Sequence, residues 1–280
     1  MTTNVETEFG VAIPGVILPE EQWVRTAVKK LPPPGPLNFV ELFGRDAPVV
    51  VDIGCGNGRF TLWSALAHPE WNHLAVDILP VVVRYATRRA NQRGLANVRV
   101  AVIGGRELLR DYIGPGTLTE VHCYHPQPYY DPREVRQRLI TPEFLAQVHA
   151  ALVPGGRFYL QTDNPAYARY MRGVVPSFFD VVEVATRWPE TPQGRTRREI
   201  IALREGLPVY RAIGTRRDDL TTEAITELIR KLPKPTFDAD RRLAKYDRLE
   251  RESDASVTPK SGAAPARRAS GNSTNRHRRR

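Results

Sequence analysis

Residues Val49 to Gly58 read V-V-V-D-I-G-C-G-N-G, and the fold turns on how this stretch is read. A β-branched run this short cannot be a helix of ordinary length and has the character of a strand buried on both faces. Gly54, Gly56 and Gly58 close it at alternate positions, where glycine lets the backbone take positive φ and lets a ligand approach the main chain. Phe60 to Ala67 then carries apolar residues at helical spacing. A strand, a glycine-rich turn and a helix N-terminus in that order form the nucleotide-binding corner of an open α/β sheet.

The glycine spacing narrows the ligand. A dinucleotide fingerprint needs G-x-G-x-x-G, yet its last position falls on Arg59 when counted from Gly54 and on Thr61 when counted from Gly56. No Gly-Lys-Ser or Gly-Lys-Thr follows, so a P-loop is absent too. What stands is Asp52 ahead of G-x-G-x-G, which resembles the first motif of S-adenosylmethionine (AdoMet)-dependent methyltransferases. A carboxylate here repels a pyrophosphate and suits a ligand bearing an ammonium and a sulfonium. The alternative is a glycine-rich turn that binds nothing.

With 280 residues, 41% of them hydrophobic, the chain can bury a full core, and one α/β domain with appendages is expected. It has no apolar run of membrane-spanning length and no basic-then-apolar leader, so neither export nor membrane insertion is indicated and a cytoplasmic protein is expected. Cys55 and Cys123 lack metal or disulfide spacing and read as small buried residues in a reducing compartment; no metal is expected. The net charge of +10 is mostly a tail: from Lys260 onward there are seven basic residues and no acid. That tail is too polar to fold alone. It suits either a solvated terminus or a non-specific contact with RNA phosphates.

Taken in order, residues 1–36 read as an irregular, Pro-rich arm in which Glu20 to Lys30 is a candidate short helix. A methyltransferase-sized domain then spans 37–235, and 236–280 is a charged tail whose start, Asp238 to Arg251, is a candidate exposed helix. His73 to Val76 is a second strand ending at Asp77, placed to accept hydrogen bonds from ribose hydroxyls or to cap the next helix, 81–93. Strands follow at Val98 to Val102, Leu118 to Tyr124, Arg157 to Thr162 and Val181 to Thr186. Ile200 to Leu203 is read as the last strand. The prolines of His125-Pro126-Gln127-Pro128-Tyr129-Tyr130 keep a loop out of regular structure beside the crevice, and Thr221 to Lys231 is an amphipathic helix with a threonine cap.

From Leu37 to about Tyr210 this order of motifs resembles the tRNA (guanine-N7)-methyltransferases. The resemblance implies a class I methyltransferase fold: α/β, doubly wound and Rossmann-like, with a mostly parallel seven-stranded sheet containing one antiparallel strand. Asp52 and Asp77 take the places of two family glutamates. Asn97-Val98-Arg99-Val100 matches the entry to the third strand. Thr162-Asp163 with Tyr167 matches Thr-Asp-x-x-x-Tyr, and Thr196-Arg197-Arg198-Glu199, with Gly206 and Tyr210, matches the Thr-Lys-Phe-Glu signature. Pro126-Gln127-Pro128-Tyr129 replaces the family's Pro-Asp-Pro-Trp, and Gly104-Gly105 replaces its Asp-Ala.

By this resemblance AdoMet is the cofactor, held by Asp52, Gly54, Gly56, Asp77, Gly104 and Gln127. The partner is tRNA, met by Asp163, Thr196, Arg197, Arg198 and Glu199, with Asp163 also the catalytic candidate and Arg133, Arg136, Arg138, Arg197 and Arg198 candidates for phosphate contacts. Tyr129 and Tyr130 are candidates for stacking or packing. Asp163 and Glu199 are the carboxylates placed to offset positive charge on the purine. His125 is read as structural, because the ring nitrogen has a free lone pair and needs no base. Two other readings are a methyltransferase of the same fold acting on another RNA or a small molecule, and a non-catalytic RNA-binding relative.

Overall fold

The computed structural model describes residues 6–255. Along the chain run β1 (Thr7–Glu8), β2 (Val11–Ala12), β3 (Ala27–Val28), α1 (Phe39–Phe43), β4 (Val49–Ile53), α2 (Arg59–Ala67), β5 (Asn72–Asp77), α3 (Pro80–Gln92) and β6 (Val98–Val102). Then come α4 (Gly105–Asp111), β7 (Leu118–Tyr124), α5 (Pro142–Ala151), β8 (Leu152–Thr162), α6 (Pro165–Val174) and β9 (Phe179–Glu183). The last elements are α7 (Arg197–Arg204), β10 (Tyr210–Arg216), α8 (Thr222–Lys231) and α9 (Ala244–Ala255).

The main sheet has the order β3-β6-β5-β4-β7-β8-β10-β9. All neighbours run parallel except at β10, which is antiparallel to both β8 and β9. Strand β4 pairs Val51 with Leu74 of β5 on one side and with Val121 of β7 on the other. The chain therefore leaves β4 in one direction and later returns to its other flank. Such a reversal opens a crevice at the carboxyl ends of the strands, and Asp52, Asp77 and Tyr124 all come to it.

Both faces of the sheet are covered. Val49, Val51 and Ile53 pack with Leu108, Phe144, Leu145, Tyr167 and Met171 of α4, α5 and α6, while Leu62, Val83 and Ala86 of α2 and α3 cover Ala75, Val98 and Val100 on the opposite face. Every residue of β4 is buried, Asp52 included, which is why its apolar residues run without alternation.

Several expectations need correcting. The sheet has eight strands rather than seven, because Ala27 and Val28 add an edge strand parallel to β6. The expected helix over Glu20 to Lys30 is instead a single 3-10 turn, Glu20–Gln22, leading into that strand. Ile200 to Leu203 is not a strand: it lies in α7, where Thr196 caps the helix by accepting the Glu199 N–H. The last strand is β10, and the strand expected at Val181 to Thr186 begins earlier, at Phe179.

The two ends of the described chain are also more ordered than expected. Residues 7–12 form a hairpin whose two-residue turn, Phe9 and Gly10, has positive φ at both positions, the geometry that suits strand twist. The helix expected to be exposed over Asp238 to Arg251 is α9, and it buries Tyr246 and Asp247 beside Leu243 of the preceding turn. The seven basic residues from Lys260 onward lie outside the described residues.

Candidate active site

The turn after β4 is built from backbone. The N–H groups of Gly54 and Cys55 both donate to the Val76 carbonyl of β5, and the Gly56 N–H donates to the Asp77 carboxylate at 3.1 Å. Gly54 and Gly56 have φ of 74° and 53°, and a Cβ on either would meet nothing within 4 Å. Their conformation explains the glycines, and their bare flanks leave main chain open to a ligand. Gly58 differs: there a Cβ would stand 2.8 Å from that of Ala86, so it lets α2 and α3 approach.

Two carboxylates flank this turn. Asp52 is buried and accepts the Thr61 hydroxyl at 2.6 Å. Burial lifts its pKa to about 7, with the Thr61 hydrogen bond opposing and Asp77 adding. Burial also raises Asp77, against the N–H groups of Leu79 and Gly56. Asp77 accepts the Leu79 N–H at 2.9 Å, steadying the turn that leads into α3, and it also lines the crevice.

A cavity of about 780 Å³ begins at this cradle. Of the expected residues it takes in Asp52, Gly54, Gly56, Asp77, Gly104, Gln127, Thr196, Arg197 and Arg198. At one end are the glycine turn, Asp77, Ile78 and Gly104; at the other are the loop 125–130, the start of α7, and Asp247 and Glu250 of α9. A second cavity, of about 230 Å³ under α6, contains none of the expected residues.

Asp163 and Glu199 stand behind the wall rather than in it. Glu199 is 1% exposed and accepts Arg211 at 2.5 Å and the Arg195 N–H at 2.7 Å. That geometry makes it the brace of the segment leading into α7. Asp163 takes the His125 Nδ1 at 3.1 Å on one oxygen and Arg198 Nε at 2.9 Å on the other. Burial opposes its ionisation, but His125 and Arg198 outweigh burial and hold its pKa at about 2. Arg198 then spans to Asp247 at 2.6 Å.

The basic residues divide by environment. Arg197 and Arg198 are buried in the cavity wall instead of forming an open phosphate-binding face. Arg133 is exposed and engaged by Asp131, and Arg136 is exposed and lines the cavity. Arg138, 1% exposed, donates to the carbonyls of Pro128, Tyr129, Pro235 and Phe237 with its guanidinium over the Phe237 ring. It clamps the site loop to the segment that leads to α9.

His125 and α9 were missing from the expected site. His125 lines the cavity at φ 50°, a strained value for a residue with a side chain. The Trp188 indole can only donate, and it donates to the Gln161 carbonyl oxygen at 2.5 Å. The Gln161 amide therefore donates to His125 Nε2 at 2.8 Å, leaving the imidazole proton on Nδ1 toward Asp163. The adjoining aromatic cage of Phe60, Trp63, Tyr124 and Trp188 is filled by the Arg195 guanidinium.

A family profile described as "Putative methyltransferase" matches residues 46–212. Among solved structures, that of the 16S rRNA methyltransferase KamB superposes with a TM-score of 0.50 at 18% identity, covering 69% of this chain and 98% of KamB. One reversed strand in a parallel sheet, a G-x-G-x-G turn and an acid at the end of each of two adjacent strands define a class I methyltransferase domain. The tRNA (guanine-N(7)-)-methyltransferase of Halorhodospira halophila is 34% identical over 200 residues, covering 68% of this chain and 84% of that protein; that of Alkalilimnicola ehrlichii is 31% identical over 191 residues, covering 67% and 81%. The chain belongs to the tRNA (guanine-N7)-methyltransferase family. The match to the Arthrobacter sp. (strain FB24) member, 38% identical over 153 residues, covers 54% of this chain and about half (48%) of that relative, and a match to the Saccharophagus degradans member covers 62% of it.

Proposed function

We propose that this protein transfers the methyl group of AdoMet to N7 of a guanine in tRNA. The observation that carries the proposal is one continuous cavity joining a glycine-and-carboxylate cradle to a polar chamber formed by residues 125–130 and the start of α7. The cradle fits AdoMet by its donors and acceptors: open main chain at Gly54 and Gly56, a carboxylate at Asp77 for hydroxyls, and a second at Asp52 for a cationic ligand. Gly104 and Gln127 line the same cavity and would complete the cofactor's surroundings, the first with backbone and the second with an amide. Among the described residues no cluster of metal-ligating side chains occurs and no helix is long and apolar enough to cross a membrane. The cytoplasm, where tRNA is processed, is the compartment this function implies.

When bound, AdoMet supplies an electrophilic methyl on a sulfonium, which a neutral ring nitrogen can displace. Because N7 offers a free lone pair, the protein need not remove a proton, and His125 is not required as a base. The chain's work is to hold the ring in line and to shape the charge around it. Thr196 and Arg197 present α7 to the substrate, with Glu199 bracing that segment from behind. Asp163 acts through His125 and Arg198. Arg136 at the mouth is placed to meet a phosphate.

The test is incubation with labelled AdoMet and unmodified tRNA, followed by chemical cleavage at 7-methylguanosine. Cleavage at one guanine is expected for the wild type, with a strong loss for Asp163→Ala. Label in another RNA, or none while AdoMet still binds, would overturn the proposal.

A further inference from the structure

The anionic side of the substrate chamber is completed from a distant segment. Asp163, at the end of β8, and Asp247, on α9, approach Arg198 from either side: Asp163 Oδ2 lies 2.9 Å from Nε and 2.8 Å from Nη2, and Asp247 Oδ1 lies 2.6 Å from Nη1. All three side chains are about 6% exposed, and Arg198 and Asp247 line the cavity. One guanidinium between two carboxylates leaves the group with a formal charge of −1. Arg197 and Glu250 are brought to the cavity by the same two helices, and burial pushes the Glu250 carboxyl up to about 7; the charge of −1 belongs to the Asp163–Arg198–Asp247 group.

Resting on the methyl-transfer reading above, we propose that Asp247 is a positioning and charge-balancing residue of the reaction: it ties Arg198 to α9 and keeps the Asp163–Arg198–Asp247 group net negative, matching the charge the purine acquires. In the transfer, the N7 lone pair forms the new N–C bond while the C–S bond breaks and its electron pair stays on sulfur. The positive charge therefore leaves the sulfonium and appears on the guanine ring. A buried group of net charge −1 beside the ring favours it more after transfer than before, and that difference lowers the barrier. Without Asp247, Arg198 would balance Asp163 alone and the group would become neutral.

Asp247 is not in the motifs that define the family resemblance, and nothing local announces it. The arrangement is nonetheless overdetermined. Arg138 fixes the carbonyls of Pro235 and Phe237 ahead of α9, and Tyr246 packs with Ile201 of α7 and donates to Glu205.

The test compares full-length wild type with Asp247→Asn, which keeps size and hydrogen bonding but removes the charge, and with Asp247→Glu, which restores it. Direct contacts of this kind are worth about 10²–10³ in kcat. For a carboxylate acting through Arg198 the expected loss in Asp247→Asn is roughly tenfold in kcat, with KM for tRNA unchanged or lower and most activity recovered in Asp247→Glu. A readout independent of turnover is binding, in the presence of S-adenosylhomocysteine, of tRNA already methylated at N7 against the unmethylated transcript. The wild type should bind the methylated, cationic form at least as tightly, and Asp247→Asn should lose that preference several-fold. An unchanged affinity ratio in Asp247→Asn, or a wild-type preference for unmethylated tRNA, overturns the inference while the methyl-transfer reading stands. The wild-type arm can overturn the inference even if the variant does not fold. No 7-methylguanosine from the wild type removes the methyl-transfer reading and this inference with it.

Discussion

The two halves of the cavity are built from different material. Around Gly54 and Asp77 the walls are main chain and strand ends, held by hydrogen bonds between neighbours in the sheet. Around Arg198 the walls are side chains drawn from β7, β8, α7 and α9, held by ion pairs across long stretches of sequence. The first kind of site needs only the sheet to form. The second needs every contributing segment in place, so a single truncation there should spread farther.

The most disruptive change follows from that contrast. Arg138→Ala leaves four carbonyls without their buried donor, and a loss of about 4 kcal/mol in urea unfolding is expected. The protein that remains folded should bind AdoMet with an unchanged Kd. A parallel loss of AdoMet affinity would show that the two halves are not independent.

Asp52→Asn probes the cradle in the opposite sense. The folded pKa of about 7 lies above the ordinary carboxyl value of 3.8, so between those values the folded state holds a proton the unfolded state has released. Stability therefore falls as pH rises through that window and is flat above it. Removing the charge should raise apo-protein stability by about 2 kcal/mol at pH 8, with the gain fading toward pH 4, and should weaken AdoMet binding about tenfold. Thermal melts at pH 8 and pH 5 with a titration at each check both signs; a stability loss at pH 8 would contradict the burial argument.

Gly54→Ala should cost about 1 kcal/mol from the positive φ alone, since the added methyl meets no protein atom. Its effect on AdoMet affinity should exceed that on stability, as isothermal titration beside a melt would show. Least of all, Arg133→Ala should leave the melting temperature unchanged, because the Arg133 side chain is 88% exposed and pairs with a neighbour two residues away.

The same contrast explains what could be read from the sequence. Asp52, the glycines and Asp77 lie within 26 residues and obey local rules, so the cradle was legible. Ile200 to Leu203 was misread because an apolar run of four fits either element. The deciding signals, Thr196 at the cap with Glu199 three residues on and Gly206 beyond the end, were all present. Helix α9 and the turn before it carried a faint stripe, Leu243, Tyr246 and Leu249, at a spacing of three. Arg133 and Arg138 show where reading stops. They are the same residue type in one basic run, and only the approach of Pro235 and Phe237, about a hundred positions later, buries one and leaves the other in solvent.

The hairpin at the start of the described chain has a temporal meaning. Glu8 is held by Arg89 and by Asn57 of the glycine turn, while the Phe9 carbonyl takes Arg204 from α7. During synthesis Phe9 must wait until almost two hundred more residues have emerged before its contact with Arg204 exists, and long loop closures of this kind are slow. The cradle can thus assemble on the ribosome well before it is latched, and a bulky fusion placed ahead of the hairpin would burden that final step before any other.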